Sequence, residues 1–96
     1  MRLVVRPHAE DDLKEAGSWY EDHKLGLKKD FLAAVEAVFL RIEKNPKLYQ
    51  VIHLDIRRAP LDRFPYGVYY TLIQEDVHIL AVVHDARHPS VWRRRR

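Results

Sequence analysis

The stretch from Pro7 to Lys44 reads PHAEDDLKEAGSWYEDHKLGLKKDFLAAVEAVFLRIEK, and its apolar residues repeat at helical spacing on both sides of a single break. Ala9, Leu13, Ala16 and Tyr20 recur every three or four positions, which predicts a first helix from Pro7 to Asp22. Pro7 suits the first turn of that helix, where an amide proton has no partner to lose. Glu10, Asp11 and Asp12 follow, placing negative charge against the positive end of the helix dipole. Gly26 breaks the pattern. From Leu27 a second stripe runs through Phe31, Ala34, Val35, Val38 and Ile42, widened by Leu32 and Phe39. Arg41 and Lys44 occupy its last turn, the end that favours cations, and Asn45-Pro46 stops it. Two helices joined by so short a connection pack as an antiparallel hairpin.

Outside this hairpin the pattern is that of strands. Leu3-Val4-Val5 is a short apolar strand before Pro7. Ile56 to Leu61 reads as an edge strand, because Pro60 would interrupt a central ladder. Phe64 to Ile73 is aromatic and β-branched, with Val68, Tyr70 and Leu72 on one face and Tyr69, Thr71 and Ile73 on the other. Gln74-Glu75-Asp76 turns the chain into a last strand, Val77 to His84. Its alternation predicts Val77, Ile79, Ala81 and Val83 on one face and His78, Leu80, Val82 and His84 opposite. The order β-α-α-β-β-β predicts an α+β fold of two layers, the helical hairpin covering one face of a mostly antiparallel sheet. A chain of 96 residues fits one such domain, spanning residues 1–96.

Composition narrows the functional class. There is no cysteine, so disulfide and thiolate chemistry are excluded, and a reducing cytoplasm is the expected location. The first twenty residues carry Pro7 and an acidic run where a signal peptide needs an apolar stretch. The longest clean apolar run, Ile79 to Val83, is far too short to span a bilayer, so no membrane partner is expected. The net charge is +3, and residues 51–96 carry all of it: eight basic residues, every one arginine, against five acidic. Arginine's planar fork matches phosphate or carboxylate through two hydrogen bonds, so an anionic partner is expected for this half. The alternative is a set of solvated surface arginines.

Several strings, in order, resemble the RelE/ParE superfamily of toxins from bacterial type II toxin–antitoxin modules. Ala9-x-x-Asp12-Leu13 with Trp19-Tyr20-Glu21 resembles the first helix of that family. Gly26-Leu27, then Phe31-x-x-Ala34-Val35, closing in Asn45-Pro46-x-x-Tyr49, resembles the second. Arg57-Arg58 with Arg63-Phe64-Pro65-Tyr66 and Val68-x-Tyr70 is similar to the central hairpin, and Val83-His84-x-x-Arg87-x-Pro89-x-x-Trp92 to the closing segment. One departure is Arg6, which stands where family members often cap the first helix with Ser or Thr. The resemblance implies a RelE-like fold and a growth-inhibiting, plasmid-stabilisation type of toxin neutralised by a cognate antitoxin. It also implies one of two targets: DNA gyrase in the ParE-like branch, or messenger RNA on the ribosome in the RelE-like branch. An inactive member that only binds its antitoxin is a third reading.

Metal-independent RNA cleavage needs a base for the 2′-hydroxyl, an acid for the leaving oxygen, and cations for the phosphorane. Arg58, Arg63, His84 and Arg87 are the candidates for that chemistry, with Tyr66 or Tyr70 as proton handlers. Against it, Gly67 holds the place just before Val-x-Tyr where ribonuclease members commonly carry an arginine, and the chain ends Trp92-Arg-Arg-Arg-Arg with no match to their C-terminal catalytic tyrosine. The gyrase-type reading is therefore slightly favoured. Arg57, Arg58, Arg63, Tyr66, Arg87, Trp92, Arg93 and Arg94 are the candidates for antitoxin or target binding. An antitoxin tail across the exposed face or open edge of the sheet is expected to bury Arg58, Arg63 and Arg87. His84 alternatively binds a backbone carbonyl at a strand end. His84 and His88 lack a third ligand, so neither metal nor cofactor is expected. The Arg93–Arg96 tail reads as a mobile end, a nonspecific grip on nucleic acid, or a partner for an acidic antitoxin segment.

Overall fold

The computed structural model describes residues 1–96. Strand β1 (Leu3–Val5) leads into helices α1 (Pro7–His23) and α2 (Leu27–Lys44). Strands β2 (Val51–His53), β3 (Ile56–Pro60), β4 (Tyr66–Ile73) and β5 (Asp76–His84) follow, and a single turn of helix, α3 (Ser90–Arg93), closes the chain. The sheet order is β1-β5-β4-β3-β2, antiparallel throughout except for the parallel pair β1–β5. The predicted α+β fold holds, with β2 and α3 added to it. No helix is long and apolar enough to cross a membrane.

The hairpin forms as its two stripes dictate. Ala9, Ala16 and Tyr20 of α1 and Phe31, Val35, Val38 and Ile42 of α2 are buried against Ala59, Val68, Tyr70, Val77, Ile79 and Val82 of the sheet. Gly26, in the left-handed region at φ 87°, makes the turn, and its amide donates to the Glu21 carboxylate. The far face of the sheet has its own smaller core of Ile56, Tyr69, Leu80, Ala81, Val83 and Trp92.

Two strand expectations are corrected. Strand β3 is not the edge, because β2 pairs with it at Ile56 and Arg57; Pro60 is accommodated because it lies beyond the reach of β2. The facing of β5 changes partway along. Tyr70 opposes Ile79 while its neighbour Tyr69 opposes Ala81, so Leu80 is an extra residue, a β-bulge. Beyond it the alternation inverts: Val82 joins the helix-side core and Ala81 and Val83 the far one, contrary to the strict alternation read from sequence.

The bulge is held from α1 and from the C-terminus together. Asp12 Oδ2 accepts both the Val82 amide, at 2.9 Å, and one guanidinium nitrogen of Arg95, while Oδ1 accepts the other at 3.2 Å. Arg95 also donates to the Leu80 carbonyl at 3.2 Å. Arg96 forks onto Asp55 through two bonds of 2.6 and 2.7 Å. The mobile-end reading of the tail is thus overturned for Arg95 and Arg96, whose charges are used within the fold.

Candidate functional site

The inversion at Leu80 decides what stands at the end of the sheet. It brings His84 to the helix side, where its cross-strand partner Tyr66 lies with ring centroids 5.3 Å apart. Tyr66 also meets Tyr20 of α1 at 5.9 Å. With Trp19, Glu15 and Arg87, these residues line a cleft of about 430 Å³ between α1 and the ends of β4 and β5. Trp19 is 53% exposed there and stacks on His23 at 3.8 Å, so it is a rim residue while Tyr20 is core.

The cleft's protonation chemistry is conservative. Burial pushes the Tyr66 phenol above its ordinary value, and Tyr20 adds to the effect by charge and hydrogen bond while Arg87 works against it. Burial likewise raises Tyr20. Both phenols therefore hold their protons at neutral pH and neither serves as a ready base. His84 Nδ1 accepts the Ala86 amide at 2.9 Å, which leaves Nε2 to carry the proton of the neutral ring. The expected backbone partner of His84 is present, as an amide rather than a carbonyl. His88 Nδ1 likewise turns to Ser90, so the two histidines are occupied separately.

The arginines singled out from the sequence separate into distinct settings. Arg58 lies across Gly67, donates to the Tyr69 hydroxyl at 3.2 Å and pairs with Asp85 at 2.6 Å, on the far face of the sheet. Gly67 has a local explanation: a Cβ there would stand 2.6 Å from Arg58 Nε. Arg63, left-handed at φ 70°, reaches toward Asp30 at the start of α2 at 3.8 Å. Arg57 ties the segment after α2 to β3 through the Tyr49 carbonyl at 2.6 Å. Trp92 is buried, stacked on Tyr69 at 4.6 Å and 12°, and spends its surface within the fold. Arg93 covers the Trp92 ring and Arg94 donates to the Ser90 carbonyl, both exposed. Of the four residues proposed for RNA chemistry, only His84 and Arg87 share a cleft.

Sequence reasoning missed a second cleft, of about 530 Å³, which adjoins the first through Arg87. Arg6, His8, Arg94 and Arg95 line it with Arg87, Pro7 and Val91. The signal for it was Arg6, which stands at the N-cap of α1 and supplies no side-chain cap.

A helical hairpin on a five-stranded mixed sheet, with a basic, cleft-bearing end, defines a small two-layer α+β protein. Residues 3–89 match the family described as the ParE toxin of type II toxin-antitoxin system, parDE, and the chain belongs to that family. It is 34% identical over 90 residues to Toxin ParE2 of Mycobacterium tuberculosis, in both the CDC 1551 / Oshkosh and H37Rv strains, covering 93% of this chain and 86% of each relative. A solved structure of the chromosomal ParDE TA system from P. aeruginosa superposes with a TM-score of 0.66 over 88% of this chain and 95% of that one. At 18% identity this last likeness bears on the fold alone. Family membership implies a cognate antitoxin as partner.

Proposed function

We propose that this toxin arrests growth by binding a protein target of the DNA gyrase type, without catalysing a reaction. The observation that carries the reading is the separation of Arg58 and Arg63, two of the arginines proposed for RNA chemistry, from the cleft of His84. A phosphorane needs positive charge converging on one point. Arg58 is committed to Asp85 and Tyr69, and Arg63 reaches toward Asp30, which leaves Arg87 beside His84. Gly67 gives room to Arg58 where the ribonuclease pattern has a further arginine. The exposed Arg63, Arg87, Arg93 and Arg94, with half-buried Tyr66, form the surface offered to target and antitoxin in this reading. Arg57, Arg58 and Trp92 support that surface from within.

A second reading, ribosome-dependent cleavage of messenger RNA, is favoured by one observation: Tyr66, His84 and Arg87 do line one cleft. His84→Ala separates the two. In a strain without the antitoxin, toxicity survives this substitution if binding is the mechanism. Complete loss of toxicity in a folded His84→Ala protein contradicts the binding reading and restores the nuclease.

A further inference from the structure

Every carboxylate that pairs with an arginine takes a single guanidinium: Asp12 takes Arg95, Asp55 Arg96, Asp85 Arg58, Asp76 Arg2, Asp62 Arg41 and Asp30 Arg63. Three arginines around the second cleft are left out of this pairing. Arg6 donates only to the imidazole of His78, at 3.3 Å, Arg94 only to a backbone carbonyl, and Arg87 to no side chain. Arg95 completes the wall, fixed in place by Asp12. Uncompensated cations ordinarily spread apart over a surface to lower their mutual repulsion. Here they converge on a concavity of about 530 Å³.

From this convergence we infer that the cleft is a binding site for a phosphate ester, supplied either by a free nucleotide or by a nucleic-acid backbone. One carboxylate, with one charge and two oxygens, is satisfied by one arginine fork, as Asp55 is in this same chain. Three free guanidiniums exceed that demand. A phosphate monoester, with nearly two charges and three terminal oxygens, matches it, as do two neighbouring backbone phosphodiesters with one charge each. The first turn of α1 adds to the field, since its N-cap Arg6 supplies no side-chain hydrogen bond to it. Pro7 and Val91 supply apolar walls against which a sugar or base can rest. The inference does not depend on the gyrase reading, because the cleft belongs to the toxin alone and is tested on the toxin alone.

The test is a titration of the purified chain, followed by amide NMR, with inorganic pyrophosphate, a nucleoside monophosphate, a single-stranded DNA octamer and hexaglutamate. Saturable shifts of His8, Ala9 and Val91 are expected with the phosphate probes. Arg87→Ala and Arg94→Ala should each weaken binding by roughly tenfold, the loss of one charge-assisted fork. Arg93→Ala removes the same charge outside the cleft and should weaken it by less than about twofold. Equal affinity for nucleotide and octamer identifies a free phosphate ligand, and much tighter octamer binding identifies a nucleic-acid backbone; either supports the site. Absence of saturation by every phosphate probe overturns it. So does tighter binding of hexaglutamate, which marks an acidic-peptide site, or an Arg93→Ala loss equal to that of Arg87→Ala, which marks diffuse charge. Thermal melts of each variant exclude unfolding as the cause of any loss.

Discussion

Replacing Asp12 with alanine should destabilise the chain far more than replacing the arginine that pairs with it. The Asp12 side chain is 12% exposed and that of Arg95 17%. Asp12→Ala removes the acceptor of the Val82 amide at the bulge, and an unsatisfied buried amide costs about 1–3 kcal/mol. It also strands a mostly buried guanidinium, for which about 3–5 kcal/mol is the penalty in a rigid interior. The Arg95 side chain is long and already 17% exposed, so it can swing toward water and this second term shrinks to about 1 kcal/mol or less. The expected total is about 2–3 kcal/mol, or roughly 10–20 °C in Tm for a domain of this size. Arg95→Ala leaves Asp12 still accepting from Val82 and free to hydrate, at a cost of about 1 kcal/mol. Urea denaturation followed by circular dichroism gives both values, and the double variant should resemble Asp12→Ala alone. If Arg95→Ala costs as much as Asp12→Ala, the carboxylate is not the clamp on the bulge and the reasoning fails.

Three further outcomes follow from individual side chains. Gly67→Ala should push Arg58 off Asp85, lowering stability by at most about 1 kcal/mol because the pair is partly solvated; an unchanged Arg58 Nε–H resonance would refute the close approach. Burial pushes the Tyr70 phenol, which donates to the Pro46 carbonyl at 2.6 Å, up to about 12. Its folded value lies above the ordinary 10.0, so its contribution is complete below pH 10 and is lost as pH rises toward 12; Tyr70→Phe should remove that slope from alkaline denaturation. The hydrogen bond from Arg96 lowers Asp55 to about 2 against an ordinary 3.8, so the anchoring of the C-terminus is complete above that ordinary value and fades as pH falls toward 2. A carboxyl-carbon titration should show Asp55 back in the usual carboxylate range in Arg96→Ala, and no change there would deny the contact.

The helical hairpin was legible because its two apolar stripes hold their period from Ala9 to Ile42 without contradiction. The face of β4 was legible for the same reason, Val68 and Tyr70 packing toward the helices and Tyr69 away. The bulge at Leu80 was not. From Ile79 to Val83 every residue is apolar, so a phase change leaves no mark in a sheet buried on both faces. That one missed residue is why His84 and Val82 were assigned to the wrong side. Strand β2 and helix α3 were too short to show a period. The clamp of Asp12 on Arg95 joins residues 83 apart, and nothing local in either segment announces it. The candidate site was half legible: Arg87, Arg94 and Arg95 lie in the arginine-rich half that drew notice in the sequence, but Arg6 joins them only once β1 is paired beside β5.

A ParE-family toxin that acts on a gyrase-type target, as proposed, halts DNA replication before it touches translation. Pulse-labelling of DNA and protein synthesis within minutes of inducing this chain alone tests this most directly. DNA synthesis should fall first while protein synthesis continues. An immediate arrest of protein synthesis with DNA synthesis still running would contradict the gyrase-type reading and return Arg58, Arg63, His84 and Arg87 to consideration as a ribonuclease site.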